Sequence, residues 1–252
     1  MTASPILRVL STLKKQKVKS LLIGGQACIL YGAAEFSRDS DFVVLAEPAN
    51  LEALKRALKV LKAVPVYFPD LSIEYLAKGH ASHFRCRARG VAGLRVDVMG
   101  RLKGCEPFNR LWVRRSRVRV PGAGSVDIIS LADLVESKKT QRDKDWLMLT
   151  RLVENDVFIN NGRGAPAKVL WWLAQARQPE TLVSLCAEHP AQAKKAAAAR
   201  PLLREAIRGN VGRLSALLKK EEAAERASDF KYWTPLKKEL EALRLGRKRC
   251  SI

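Results

Sequence analysis

Leu21 to Leu45 reads LLIGGQACILYGAAEFSRDSDFVVL. An apolar run breaks at Gly24-Gly25, and a short apolar segment follows from Gln26 to Ala34. Asp39-Ser40-Asp41 then opens a second apolar run, Phe42 to Leu45. This pattern predicts a strand, a glycine turn, a helix to about Ala34, and a strand with two carboxylates at its start. Successive strand residues point to opposite faces, so Asp39 and Asp41 share one. Carboxylates side by side repel unless a cation sits between them, and Mg²⁺ or Mn²⁺ takes such oxygen ligands. A glycine turn ahead of a helix offers bare backbone N–H groups that suit phosphate. A metal site beside a phosphate cradle points to a nucleoside triphosphate with its metal.

On the N-terminal side, residues 4–17 read as a helix. Ser4 is its N-cap, Pro5 its first residue, and Ile6, Val9, Leu10 and Leu13 form one face. Val18 to Ile23 is the first strand. On the C-terminal side, Pro48 to Val64 is an amphipathic helix with Leu51, Leu54, Leu58 and Leu61 in its stripe, ended by Pro65. Ile73 to Ala77 reads as a short strand. His83 to Arg89 alternates, with His83, Arg85, Arg87 and Arg89 on one face. Leu94 to Met99 (LRVDVM) is a strand with Val96 and Val98 on one face and Arg95 and Asp97 on the other. Trp112 to Val120 alternates again, with Arg115, Arg117 and Arg119 together. Val126 to Ile129 is extended, and Ser130 caps a long helix from Leu131 to Glu154. Asn160 to Gly164 (NNGRG) is the best linker candidate. Beyond it the pattern is helical, near 166–176, 179–187, 190–199, 201–208, 211–227 and 229–245, with a frayed basic end, RLGRKRC. The expected organisation is therefore residues 1–160 and a helical domain, 165–252.

The chain has 252 residues with 46 Lys and Arg against 25 Asp and Glu, net +21. The excess runs along the whole length and favours a polyanionic partner, most simply nucleic acid. Between positions 85 and 119, eleven basic residues face two acids, Asp97 and Glu106. A row of like charges on one sheet face repels unless anions lie on it. The ladders Arg85, Arg87, Arg89 and Arg115, Arg117, Arg119 therefore read as a surface for an RNA backbone. Five widely spaced cysteines without a CxxC pair exclude a disulfide framework and a structural zinc site. The N-terminus is too broken by Lys and Arg for a signal peptide, and no apolar run spans a membrane. A cytoplasmic protein is expected. His80 and His83 read as ordinary turn or strand histidines, and Trp171-Trp172 and Trp233 as anchors of helix packing.

Asp97 inside an apolar strand needs a partner, and Asp39, Asp41 and Asp97 on adjacent strands would surround one or two metal ions. Gly24-Gly25, thirteen residues, Asp39-Ser40-Asp41 and then Asp97 on a later strand resemble the nucleotidyltransferase superfamily of DNA polymerase β type. Within it, IGGQA…SRDSDF, RVDVM and ISLADLVESKKTQRDKDW are similar to the AbiEii and MenT-like toxin branch. The resemblance covers about the first 150 residues. It implies an α+β fold, a mixed sheet flanked by helices, to which the pattern beyond residue 165 adds an all-helical C-terminal region. It also implies metal-dependent transfer of a nucleotide from an NTP such as ATP to a hydroxyl, releasing pyrophosphate. Gly24 and Gly25 would hold the triphosphate, Asp39 and Asp41 the metal, and Asp97 would be a ligand or the base. Lys138 matches a helix lysine that contacts phosphate. Lys138, Arg142 and Asp145, spaced i, i+4, i+7, would share a helix face, with Lys138 and Arg142 reaching the triphosphate and Asp145 positioning one of them. Where relatives often carry Arg four residues before the first Asp, this chain has Glu35, with Arg38 adjacent to Asp39 as a nucleotide contact. The branch and the charge together imply RNA, a tRNA 3′ end, as acceptor. They imply an antitoxin protein as a partner if the chain is a toxin. A small-molecule acceptor, a protein hydroxyl, or a non-catalytic binding role are the rival readings.

Overall fold

The computed structural model describes the backbone of residues 5–249 and the side chains of residues 5–245. The chain divides into two compact units, one formed by residues 1–137 and 232–252 and the other by residues 138–231.

The first unit is built on a seven-stranded mixed sheet. Its strands are β1 (Ser20–Ile23), β2 (Asp39–Val44), β3 (Val64–Pro65), β4 (Ala81–Arg85), β5 (Arg95–Met99), β6 (Ser116–Val120) and β7 (Gly124–Ile128), in the order β3-β4-β5-β2-β1-β7-β6. β2 pairs parallel with β5 and antiparallel with β1. Leu22, Phe42, Val96 and Val98 face one side, where α1 (Pro5–Lys15) and α3 (Pro48–Val60) bury Val9, Leu13, Leu54 and Leu58 against them. Period-2 alternation then sends Asp39, Asp41 and Asp97 to the other side. The expected cap Ser4 lies outside the described residues.

Several expected elements differ. The helix after Gly25, α2 (Gly24–Leu30), ends four residues before Ala34. Residues 73–77 form a helix rather than a strand: in α4 (Ile73–Lys78), Ser72 Oγ caps the N-terminus by accepting from the Tyr75 N–H at 3.2 Å. The alternation of His83–Arg89 outlasts the strand. After Arg85 the backbone turns, and the N–H groups of Arg87 and Ala88 both donate to Leu61 O, burying Cys86 and Ala88. Trp112 belongs to α5 (Phe108–Val113), so the second arginine strand begins only at Ser116. The long helix expected from Leu131 to Glu154 is two helices, α6 (Leu131–Ser137) and α7 (Asp143–Ile159).

The second unit is helical. α7, α8 (Pro166–Gln175), α9 (Pro179–Glu188), α10 (Pro190–Ala199) and α11 (Leu203–Ile207) pack around Trp146, Leu149, Trp172, Leu185 and Leu203. NNGRG turns between α7 and α8. Trp172 is fully buried, and its Nε1 donates to Asp156 at 2.7 Å. The last helix, α12 (Val211–Arg249), is continuous through Pro235 instead of breaking near residue 228, and it keeps residues 244–249 helical rather than frayed. Its first half belongs to the second unit and its C-terminal part, from Tyr232, to the first.

No helix among the described residues is long and apolar enough to cross a membrane.

Candidate active site

Gly24 follows β1 and opens α2 with φ +65°, a left-handed conformation that side chains disfavour. A Cβ there would stand 2.0 Å from Asp41 Oδ2, so the turn approaches the second aspartate only because residue 24 is glycine. A Cβ on Gly25 would meet Ser37 Oγ at 2.5 Å. The loop before β2 is tied down onto the turn. Gln26 Nε2 donates to Ser37 O at 3.0 Å, and Ser37 Oγ donates to Asp39 O at 3.1 Å. α2 has only seven residues, so its dipole is small. What the turn offers an anion is closely approachable backbone.

Asp41 pairs in register with Ile23 on one side and Asp97 on the other, and Asp39 pairs with Arg95. The three aspartates thus share one sheet face. Asp97 is nearly buried and well partnered. Arg95 Nε donates to Oδ1 at 2.9 Å and Nη2 lies 2.7 Å from Oδ2, while His83 Nδ1 lies 2.9 Å from Oδ1. His83 Nδ1 is also 3.2 Å from Arg95 Nη2. Protonated, this nitrogen donates to the carboxylate; deprotonated, it accepts from the guanidinium. Burial works against the Asp97 charge, but the hydrogen bonds from His83 and Arg95 outweigh it and hold the carboxyl below its ordinary range. Asp97 is therefore ionised at neutral pH. Arg95 is held more firmly charged by its bond to Asp97, with the field of Asp39 adding to it.

The donor set is hard oxygen, which suits Mg²⁺ or Mn²⁺. Asp39 and Asp41, two residues apart on one strand, fit as a ligand pair. Among the described residues, no three carboxylate, imidazole or thiolate groups converge closely enough to enclose an ion. Asp97 is engaged by Arg95 and His83, so its part in a metal site requires it to exchange one of those bonds for the ion.

Arg38 is exposed, with its guanidinium carbon 6.0 Å from the centroid of the Phe36 ring. Lys138, Arg142 and Asp145 do come together, but not on a helix face. The break between α6 and α7 folds Lys138 and Arg142 back over the α7 N-terminus. Lys138 Nζ lies 3.0 Å from Asp145 Oδ1, Arg142 Nη2 2.6 Å from Oδ2, and Thr140 Oγ1 donates to Oδ2 at 2.7 Å. Burial opposes the charge of Asp145, and Lys138, Thr140 and Arg142 overcome it and lower the pKa. Arg85, Arg87, Arg117 and Arg119 are exposed. Arg115 and Arg117 both bind Asp127, at 2.8 and 3.0 Å, and Arg115 also stacks 4.1 Å above Trp112. The second ladder is thus partly neutralised within the chain. Sequence reasoning missed His83, Arg95, Ser37 and Tyr67 as parts of the site. Only Arg95 left a signal, as the residue two before Asp97 on the same strand face.

No family model matches the sequence, and no curated protein matches it.

Proposed function

We propose that the first unit has a nucleotidyltransferase fold and that the chain is a nucleotidyltransferase, moving a nucleoside monophosphate from an NTP to a hydroxyl of RNA, with a tRNA 3′ end as acceptor. The carrying observation is the register that sets Asp41 beside Asp97 on the face where Gly24 meets the Asp41 side chain. In the reaction, the acceptor oxygen bonds to the α-phosphorus and the bond from that phosphorus to the bridging oxygen breaks. Pyrophosphate leaves and the hydroxyl proton passes to a base. Gly24 and Gly25 would cradle the leaving phosphates. Asp39 and Asp41 would hold Mg²⁺ or Mn²⁺, which would neutralise charge on the phosphates and acidify the hydroxyl. Asp97, ionised on the same face, would accept or steer the hydroxyl proton. Arg95 stands where it can balance that charge. Basic residues Arg85 and Arg87 would hold the RNA backbone. In the toxin setting, an antitoxin protein would silence this site.

The test uses the purified protein, Mg²⁺, each α-labelled NTP in turn and total tRNA, beside Asp41→Ala. Label on tRNA with the native chain and none with the variant is the expected result. Label on the protein itself or on a small molecule would move the acceptor. Absence of both labelling and metal–NTP binding would end the enzyme reading.

A further inference from the structure

Within the first unit a cavity of about 430 Å³ opens beyond Asp97, between the strand edge and the C-terminal part of α12. That is the size range of a site for one nucleotide. On the sheet side it is lined by Tyr67, His83 and Arg95. Tyr67 is 52% exposed, its ring packed edge-on against His83 at 5.7 Å, with Arg95 5.8 Å from its centroid. The floor of the cavity is therefore the same network that holds Asp97. On the helix side, Trp233, Lys237 and Arg244 recur at i, i+4 and i+11, one face of α12. No carboxylate is among the described residues lining it. The helix is fastened there by Glu239, which lies 2.7 Å from Lys78 Nζ and 3.0 Å from the buried His80 Nε2. Two aromatic rings with cations at the rim are the combination that stacks a base and holds its phosphate.

The position along the sheet tells which nucleotide. Reading across neighbouring strands, the glycine turn follows β1, the aspartate pair is on β2, Asp97 on β5, His83 on β4, and Tyr67 follows β3. Strands are about 4.8 Å apart, so the cavity starts roughly 14 Å from the turn. An in-line displacement puts the attacking hydroxyl opposite the leaving pyrophosphate. With pyrophosphate at the glycine turn, the attacking side is the side of this cavity. We infer that the cavity holds the terminal nucleoside of the acceptor polynucleotide, its base against Tyr67 and Trp233 and its phosphate on Lys237 and Arg244. This rests on the reading above that Asp39, Asp41 and Asp97 bind the reacting groups.

The test is equilibrium binding without turnover, so it stands whether or not transfer is detected. A fluorescein-labelled single-stranded RNA is compared with the same RNA abasic at its 3′-terminal nucleotide, by anisotropy at fixed salt. Loss of the stacked base should weaken binding roughly 5- to 100-fold on the native protein. Tyr67→Ala and Trp233→Ala, with Trp233→Phe as the ring-preserving control, should bind both RNAs alike, while Trp233→Phe keeps the discrimination. Binding of a non-hydrolysable NTP should be unchanged by Trp233→Ala. Equal binding of intact and abasic RNA by the native protein would overturn the assignment, and that measurement needs no variant to fold. Weakened NTP binding by Trp233→Ala with unchanged RNA binding would give the cavity to the NTP base and equally overturn it.

Discussion

Gly24→Ala probes the contact on which the proposed site depends. Two costs add. The first is the backbone: φ +65° costs a side-chain-bearing residue about 1–2 kcal/mol. The second is the contact: the new methyl would stand 2.0 Å from Oδ2, 2.7 Å from Cγ and 2.9 Å from Cβ of Asp41, so the carboxylate must rotate away and the backbone must give slightly. Forcing Asp41 off its rotamer costs about 0.5–1.5 kcal/mol more. The total, roughly 1.5–3.5 kcal/mol, should lower Tm by roughly 3–14 °C, at 2–4 °C per kcal/mol for a chain of this size. Gly93→Ala separates the two costs, because Gly93 has φ +84° with nothing within 4 Å of its would-be Cβ. It should show the backbone cost alone and leave nucleotide transfer intact. Thermal melts of both variants, with labelled-NTP transfer in parallel, make the comparison. If Gly24→Ala melts with Gly93→Ala and transfers nucleotide at the native rate, the close approach of turn and Asp41 has no role.

Arg95→Ala leaves the nearly buried Asp97 with His83 as its remaining named partner. Losing one side of a buried ion pair costs about 3–5 kcal/mol, and the partial exposure of Arg95 lowers this to about 2–3. Because its hydrogen bonds hold the native Asp97 carboxyl below the ordinary aspartate range, the stability it contributes is present above that range. It is lost as pH falls through the lowered native pKa. The Tm gap between native and Arg95→Ala, wide at pH 7, should close in acid melts below about pH 4; a gap constant with pH would refute the pairing. Lys138→Met removes one partner of Asp145, whose side chain is 2% exposed. It should cost about 2–4 kcal/mol by urea denaturation with no nucleotide present; no loss would mean that the Lys138–Asp145 pair contributes nothing to the fold. Ser40 lies between the two aspartates, but its buried hydroxyl has no hydrogen-bond partner among the described residues. Ser40→Ala should leave stability unchanged or raised by up to about 1 kcal/mol and leave transfer intact, while Asp39→Ala and Asp41→Ala abolish transfer. In salt titrations of RNA binding, the Arg85→Ala/Arg87→Ala pair should flatten the log–log slope by about 1.4–1.8. Arg115→Ala/Arg117→Ala should flatten it less, since Asp127 already neutralises part of that ladder; equal changes would refute this.

The sheet was legible where period-2 alternation and turn glycines agree, as in β1, β2 and β5, because burial on one face imposes that pattern on the sequence. It was misread where a local interaction outweighs the pattern. Ser72 caps a helix out of an apolar stretch that reads as strand, and Leu61 O captures two N–H groups that would otherwise extend β4. The meeting of Lys138, Arg142 and Asp145 was anticipated from a helix spacing that does not exist there; a broken helix and a buried carboxylate bring them together instead. His83 escaped because its place beside Asp97 is set by the antiparallel register of β4 and β5. Register between distant segments is a tertiary quantity that neither residue records.

The register of β4 against β5 also changes how the repulsion among the aspartates is relieved. Three aspartates on one sheet face would be costly without cations, and the sequence reading assigns that positive charge to a metal. In the structure Arg95 and His83 supply positive charge and hydrogen bonds at one end of the group, so Asp97 is stable as a carboxylate with protein partners alone. The case for a metal therefore narrows to Asp39 and Asp41. It gives Asp97 a different character: its charge is maintained by groups that also face the cavity under Tyr67. A ligand entering that cavity would touch His83 and Arg95 before it touched Asp97. Occupancy there would be felt at the carboxylate through its hydrogen bonds to His83 and Arg95; in the proposed transfer, that would couple binding of an acceptor to the carboxylate proposed to take the hydroxyl proton.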